Sequence, residues 1–133
     1  MPFIAVNFQY YTAMKGITEK HSGKEPFDAP AEQLALIKQK DWGRWADKEL
    51  GTVPLCFLST TDITGGNSGS PIMNGKGELI GLAFDGNLES VTSDWNFEAD
   101  ITRTISVDIR YVMWCTEKLA KSQRLLDEMI IVD

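Results

Sequence analysis

Between Thr64 and Gly81 the chain reads TGGNSGSPIMNGKGELIG, with two short apolar runs on either side of Asn74-Gly75-Lys76-Gly77. Asn and Gly accept the positive φ that a tight reversal demands. Pro71 to Met73 and Glu78 to Phe84 are therefore predicted to be the two antiparallel strands of a hairpin. The chain is committed to sheet here.

Elsewhere the pattern alternates between strand and helix signals. Phe3 to Thr12 is aromatic and β-branched with rough alternation, a predicted strand. Lys20 to Pro30 is loop chemistry. Asp28 is placed to cap a helix with Pro30 in its first turn, running to about Lys40 with Leu34 and Ile37 buried. Asp41 to Gly51 (DWGRWADKELG) lacks a period and is expected to be an ordered loop or short helical turn. Val53 to Leu58 reads as a buried strand and Thr102 to Val107 as the last one. From about Val107 to Met129 the residues Val112, Cys115, Leu119, Leu126 and Met129 recur at helical spacing, predicting one long helix. The resulting expectation is a mainly β fold with helices: a β-barrel with a C-terminal α-helix packed on it, and the helical content near residues 28–50 as an insertion.

With 133 residues there is room for a single core, either one modest domain or part of a larger one. The formal net charge of -6 argues against nucleic acid and against anionic membrane surfaces as partners. No apolar run approaches the roughly 20 residues of a membrane helix. The N-terminus, MPFIAVNFQYYTA, lacks the basic-then-apolar order of a signal peptide and reads like the middle of a strand cut from a longer chain. Glu98, Asp100 and Asp108 show no metal-ligand spacing. Cys56 and Cys115 lie in apolar contexts and are expected to be buried free thiols, a disulfide between them being the alternative.

Ser68 is the candidate nucleophile. A serine hydroxyl attacks poorly near neutral pH unless a base takes its proton and donors hold the negative charge developing on the substrate carbonyl. In Gly66-Asn67-Ser68-Gly69, Gly66 is free to take a conformation closed to other residues, aiming its N–H and that of Ser68 into one pocket. The base is the difficulty. The chain has one histidine, His21, in the polar loop KHSGKEP. The return strand, Leu82 to Phe84, offers an edge to an extended peptide.

The segment GNSGSP resembles the nucleophile segment of the chymotrypsin-clan serine peptidases, in the second β-barrel of their trypsin-like fold. More narrowly, Thr61 to Pro71, Asn74 to Asn87, Arg103 to Ala120 and DWGRWADK resemble the bacterial dipeptidyl peptidases of serine family forty-six, over nearly the whole chain. The resemblance implies that residues 1–133 are the C-terminal part of a peptidase domain. A missing N-terminal part of the parent chain would supply the catalytic His and Asp. His21 matches no catalytic position of the family, so the isolated chain is expected to be inactive.

The resemblance also assigns roles. Ser68 is the nucleophile and the Gly66 and Ser68 amides the oxyanion donors. Phe84, Asp85 and Gly86 bind substrate: Asp85 faces the free α-amino group of a peptide, unless it merely caps the following turn. Gly86, where family members with acidic preference carry Arg, implies a pocket for apolar penultimate side chains, unless it is an ordinary turn glycine. Asp62, six residues before Ser68, is expected to hydrogen-bond turn amides rather than to select basic side chains. Trp42, Trp45 and Trp95 are expected to pack on the barrel surface. No cofactor is implied. A periplasmic or cell-surface parent that forms a homodimer is. The competing expectations are a non-catalytic peptide-binding module derived from such a protease, and part of an endopeptidase.

Overall fold

The computed structural model describes residues 10–132 of the chain. The strands are β1 (Tyr11–Ala13), β2 (Pro54–Ser59), β3 (Pro71–Met73), β4 (Leu79–Gly86) and β5 (Thr104–Asp108). They form one antiparallel sheet in the order β1-β2-β5-β4-β3. The edges are β1 and β3, and among the described residues no ladder joins them into a closed barrel. Of the strand predicted from Phe3 to Thr12, residues 1–9 lie outside the described residues.

The hairpin forms where its turn chemistry predicts. Asn74 holds the reversal: its Oδ1 accepts from the N–H groups of Lys76 (2.9 Å) and Glu78 (3.1 Å), and its Nδ2 donates to Glu78 Oε2 (2.6 Å). The inner face of β5 is polar. Thr104, Ser106 and Asp108 are buried while Ile105 and Val107 are only partly so. Thr104 Oγ1 donates to the Thr61 carbonyl at 2.6 Å, and Asp108 caps the helix that follows. Ser106 Oγ has no partner among the described residues.

The helices are α1 (Lys15–Lys20), α2 (Ala31–Gln39), α3 (Ile109–Trp114) and α4 (Gln123–Asp127). Six residues are too few to show a period, so α1 was not foreseen; a Lys15–Glu19 ion pair at 2.7 Å spans it. Helix α2 begins one residue after Pro30 with no side-chain cap, so Asp28 does not serve. Ile37 is buried as expected and Leu34 partly so. The segment from 41 to 51 contains a single 3₁₀ turn, Gly43–Trp45.

The long C-terminal helix is a correction. It is α3, a π-helical turn over Cys115–Leu119, then a break where Lys121 takes φ +51° before α4. In the π turn the Ala120 N–H reaches back to the Cys115 carbonyl at 2.9 Å.

The core sits where these helices meet one end of the sheet. Met14, Ile37, Trp45, Val53, Met113, Trp114 and Leu126 form it. Trp45 is a second correction: it is 4% exposed, and its indole N–H donates to Glu117 Oε2 at 2.7 Å. Trp42 packs partly buried against the same cluster, and Trp95 is 94% exposed. The Trp114 indole donates to the Asp41 carbonyl at 2.8 Å, tying the 3₁₀ turn to α3 from the other side. Arg110 fixes the start of α3. Its guanidinium donates to both Asp108 oxygens (3.0 and 2.9 Å) and to Asp47 Oδ2 (2.7 Å). Cys56 and Cys115 are both free and half-buried, and burial pushes both thiols up.

Candidate active site

The segment before β3 is a turn closed by Asn67. Its N–H donates to the Thr64 carbonyl (3.1 Å), and its Oδ1 accepts the Thr64 N–H (2.9 Å). Gly66 lies at φ +97° and Gly69 at φ +86°, where a Cβ is strained. Beyond the turn the main chain rejoins the sheet. Gly69 N–H donates to the Ala83 carbonyl (2.7 Å), and Ala83 N–H donates to the Ser70 carbonyl (2.9 Å). Ser68 stands just past that last rung.

On the other strand the register with β5 slips between Ala83 and Asp85, a β-bulge at Phe84. Bulges re-aim side chains and end pairing, and they gather beside active sites. Here the bulge leaves the Phe84 carbonyl facing Ser68, whose Oγ donates to it across a long 3.4 Å. The expected peptide-binding edge is corrected by the same rungs. Leu82 pairs with Pro71 and Ala83 is bonded to Gly69 and Ser70, so the open stretch is Phe84 to Gly86.

Gly66, Ser68, Phe84, Asp85 and Gly86 all line one cleft of about 290 Å³. Within the described residues the N–H groups of Gly66 and Ser68 have no acceptor, two donors left over beside a hydroxyl. Asp85 is exposed, and its Oδ1 accepts the Gly86 N–H at 2.8 Å, which leaves Oδ2 unengaged among the described residues. The charged residues lining the cleft are Asp85 and Asp94, with no Lys or Arg. Arg103, which follows on β5's approach, donates to the Ala99, Asp100 and Thr102 carbonyls instead.

His21 does not line the cleft. It ends α1, and its Nδ1 accepts the Ala29 N–H at 3.0 Å, holding the loop between them. Asp62 is exposed and takes no turn amide among the described residues; Asn67 performs that service. Nor do the described residues hold any group of three His, Cys, Asp or Glu placed to bind a metal ion. Two contributors escaped the sequence. Asn87 anchors the cleft wall to the residues before β5, and Ser90 lines it. An Asn beside Gly hints at a turn, but nothing local marks Ser90.

A hydroxyl with two unsatisfied amides beside it, at the mouth of a cleft, is the equipment of acyl transfer through a serine, as in serine peptidases. The family model for Peptidase S46 matches residues 3–131, and the chain belongs to that family. It is 51% identical over 128 residues to Dipeptidyl-peptidase 7 of Capnocytophaga gingivalis, covering 96% of this chain and 18% of that protein. It is 41% identical over 145 residues to the Asp/Glu-specific dipeptidyl-peptidase of Shewanella putrefaciens, covering 93% of this chain and 20% of that one. The solved structure of Porphyromonas endodontalis DPP11 in complex with substrate superposes with a TM-score of 0.89 at 39% identity, covering 96% of this chain and 19% of that one. The chain thus spans about a fifth of the length of these relatives.

Proposed function

We propose that this chain is the nucleophile-bearing portion of a serine dipeptidyl peptidase, which releases dipeptides from peptide N-termini with an apolar penultimate residue preferred. The observation that carries the reading is the sharing of one cleft by the Ser68 hydroxyl, two unsatisfied amides and the Asp85 carboxylate. Ser68 Oγ attacks the carbonyl of the second substrate residue, and its proton passes to a base. The Gly66 and Ser68 N–H groups hold the oxyanion. The intermediate collapses as the base gives the proton taken from Ser68 to the departing nitrogen, expelling the remaining peptide's amine. Water then hydrolyses the acyl-serine, releasing the dipeptide and restoring the hydroxyl. Asp85 sets the cut two residues in by facing the substrate ammonium.

The base and its orienting carboxylate come from the rest of the parent protein, since His21 is engaged at the end of α1 away from the cleft. Alone, the chain is inactive. The apolar preference rests on Gly86 and on the absence of a cation among the residues lining the cleft, where a carboxylate would meet Asp85 and Asp94. Relatives named Asp/Glu-specific share 41% and 47% of aligned residues, so acidic preference is the competing outcome.

The test uses the parent protein and dipeptidyl reporters with apolar or acidic penultimate residues, each with a free or acetylated amine. Expected are release from free-amine apolar reporters, none from acetylated ones, and a loss of at least about 10³-fold in Ser68→Ala. Equal cleavage of blocked substrates, or full activity in Ser68→Ala, overturns the mechanism. Faster release after Asp or Glu overturns the preference alone.

A further inference from the structure

One wall of the cleft is doubly built. A Cβ placed on Gly86 would lie 2.0 Å from Ser90 Oγ and 3.0 Å from Ser90 Cβ. Both residues line the cleft. The space a side chain at position 86 would need is therefore already filled by Ser90.

Ser90 is not free to swing aside. Its Oγ donates to the Asn87 carbonyl at 2.6 Å, and its N–H donates to the same carbonyl at 2.9 Å. Asn87 is itself clamped to the strand approach. Its N–H donates to the Arg103 carbonyl (3.0 Å), its Oδ1 accepts the Arg103 N–H (2.9 Å), and its Nδ2 donates to the Ile101 carbonyl (2.7 Å). The 3₁₀ turn Leu88–Thr92 is thus pinned, and Ser90 with it.

We infer that Ser90 is a specificity-determining residue, which together with the bare Gly86 sets the size and polarity of the pocket receiving the penultimate side chain. The inference rests on the dipeptidyl peptidase reading above and deepens it. A serine hydroxyl has one proton. Here that proton is committed to Asn87, so the oxygen has only acceptor capacity left for a pocket occupant. An acceptor wall repels a carboxylate and offers an apolar side chain a shape. Positions 86 and 90 are also coupled: a side chain at 86 requires a smaller residue at 90.

The experiment uses the full-length parent and three variants, Ser90→Gly, Gly86→Ala and the double substitution, with Ser90→Ala as a milder probe that removes only the oxygen. kcat/KM is measured on free-amine reporters with penultimate Ala, Leu and Phe, and Tm is measured alongside. Ser90→Gly is expected to raise the Phe-to-Ala ratio of kcat/KM about 10-fold, the scale of small volume changes in apolar pockets. Gly86→Ala is expected to lower Tm and activity on every reporter, and adding Ser90→Gly to restore both in part. A Ser90→Gly or Ser90→Ala enzyme that loses the same factor on every reporter overturns the inference, as do Tm changes that simply add. A wild-type parent that releases no dipeptide from these reporters or from ones with penultimate Asp or Glu overturns both this and the reading beneath it. An active parent whose profile stays fixed overturns this one alone.

Discussion

Gly81 shows how closely the sheet is built around single atoms. It faces Ile72 on one side and Asp108 on the other. A Cβ there would meet the Val107 carbonyl oxygen at 2.6 Å and the Phe57 ring at 2.7 Å. The oxygen belongs to the β4–β5 ladder and cannot yield without disturbing it; the ring reaches over from β2, across β5. Gly81→Ala in the parent protein is therefore expected to be destabilising by about 1–3 kcal/mol or more through overpacking. Equilibrium unfolding in denaturant checks this, and an unchanged midpoint would mean that ring and strand give way freely. Gly66 and Gly69 differ in kind. Nothing crowds a Cβ at either, and their positive φ alone calls for glycine.

At the level of elements, α2 and α3 are joined through a buried amide and a phenol. Gln33, 6% exposed, donates from Nε2 to the Tyr111 hydroxyl at 2.8 Å. Burial first, and the neighbouring Cys115 thiol second, push the Tyr111 phenol up to about 12. An unfolded chain ionises tyrosine near pH ~10. The folded value is the higher one, so the contribution of the neutral phenol is whole below about pH 10 and is lost as the pH climbs toward about 12. Tyr111→Phe is expected to lower stability by about 1–3 kcal/mol near neutrality, because it strands the Gln33 donor. It should also flatten the alkaline decline. Denaturation midpoints followed from about pH 8 to 11 test both, and an alkaline limb as steep in the variant would place the titration elsewhere.

What could be read from sequence follows the same division between local and distant causes. The β3–β4 hairpin was legible because Asn74 makes its bonds within four residues of itself. The C-terminal helix was legible only in outline. The apolar stripe through Val112, Cys115 and Leu119 continues across the π turn, so its spacing conceals the break at Lys121. Trp45 was misplaced because residues far along the chain enclose it, Met113 and Trp114 in the core and Glu117, 72 residues away, at its indole N–H. In the cleft, Gly66 and Ser68 were nameable from the GNSGSP motif and Phe84, Asp85 and Gly86 from the family resemblance, whereas the bulge at Phe84 and the packing of Ser90 arise only when β5 is alongside.

For the molecule as a whole, the surface beside the cleft is unusually apolar for one facing water. Leu88 is 84% exposed, Val91 76% and Trp95 94%, spaced along one short segment, and Ile130 near the other end is 95% exposed. Exposed apolar side chains gathered along one short segment favour association. In isolation the 133-residue chain is expected to bind an environment-sensitive apolar dye and to sediment as concentration-dependent oligomers, both reduced in Leu88→Ser/Val91→Ser. A chain that stays monomeric and dye-silent at high concentration would contradict this.

The rungs between Gly69, Ser70 and Ala83 have a consequence for how such a chain can vary. They are main-chain bonds, so the separation of Ser68 from Asp85 is measured out by the strands like a mark on a ruler, whatever side chains the strands carry. The ruler has a free end and a fixed one. A residue gained or lost in the Asn74–Gly77 reversal alters the free end and leaves the mark alone. One gained between Ser68 and Pro71 slides the hydroxyl off it. Length is negotiable at the tip of the hairpin and forbidden at its base.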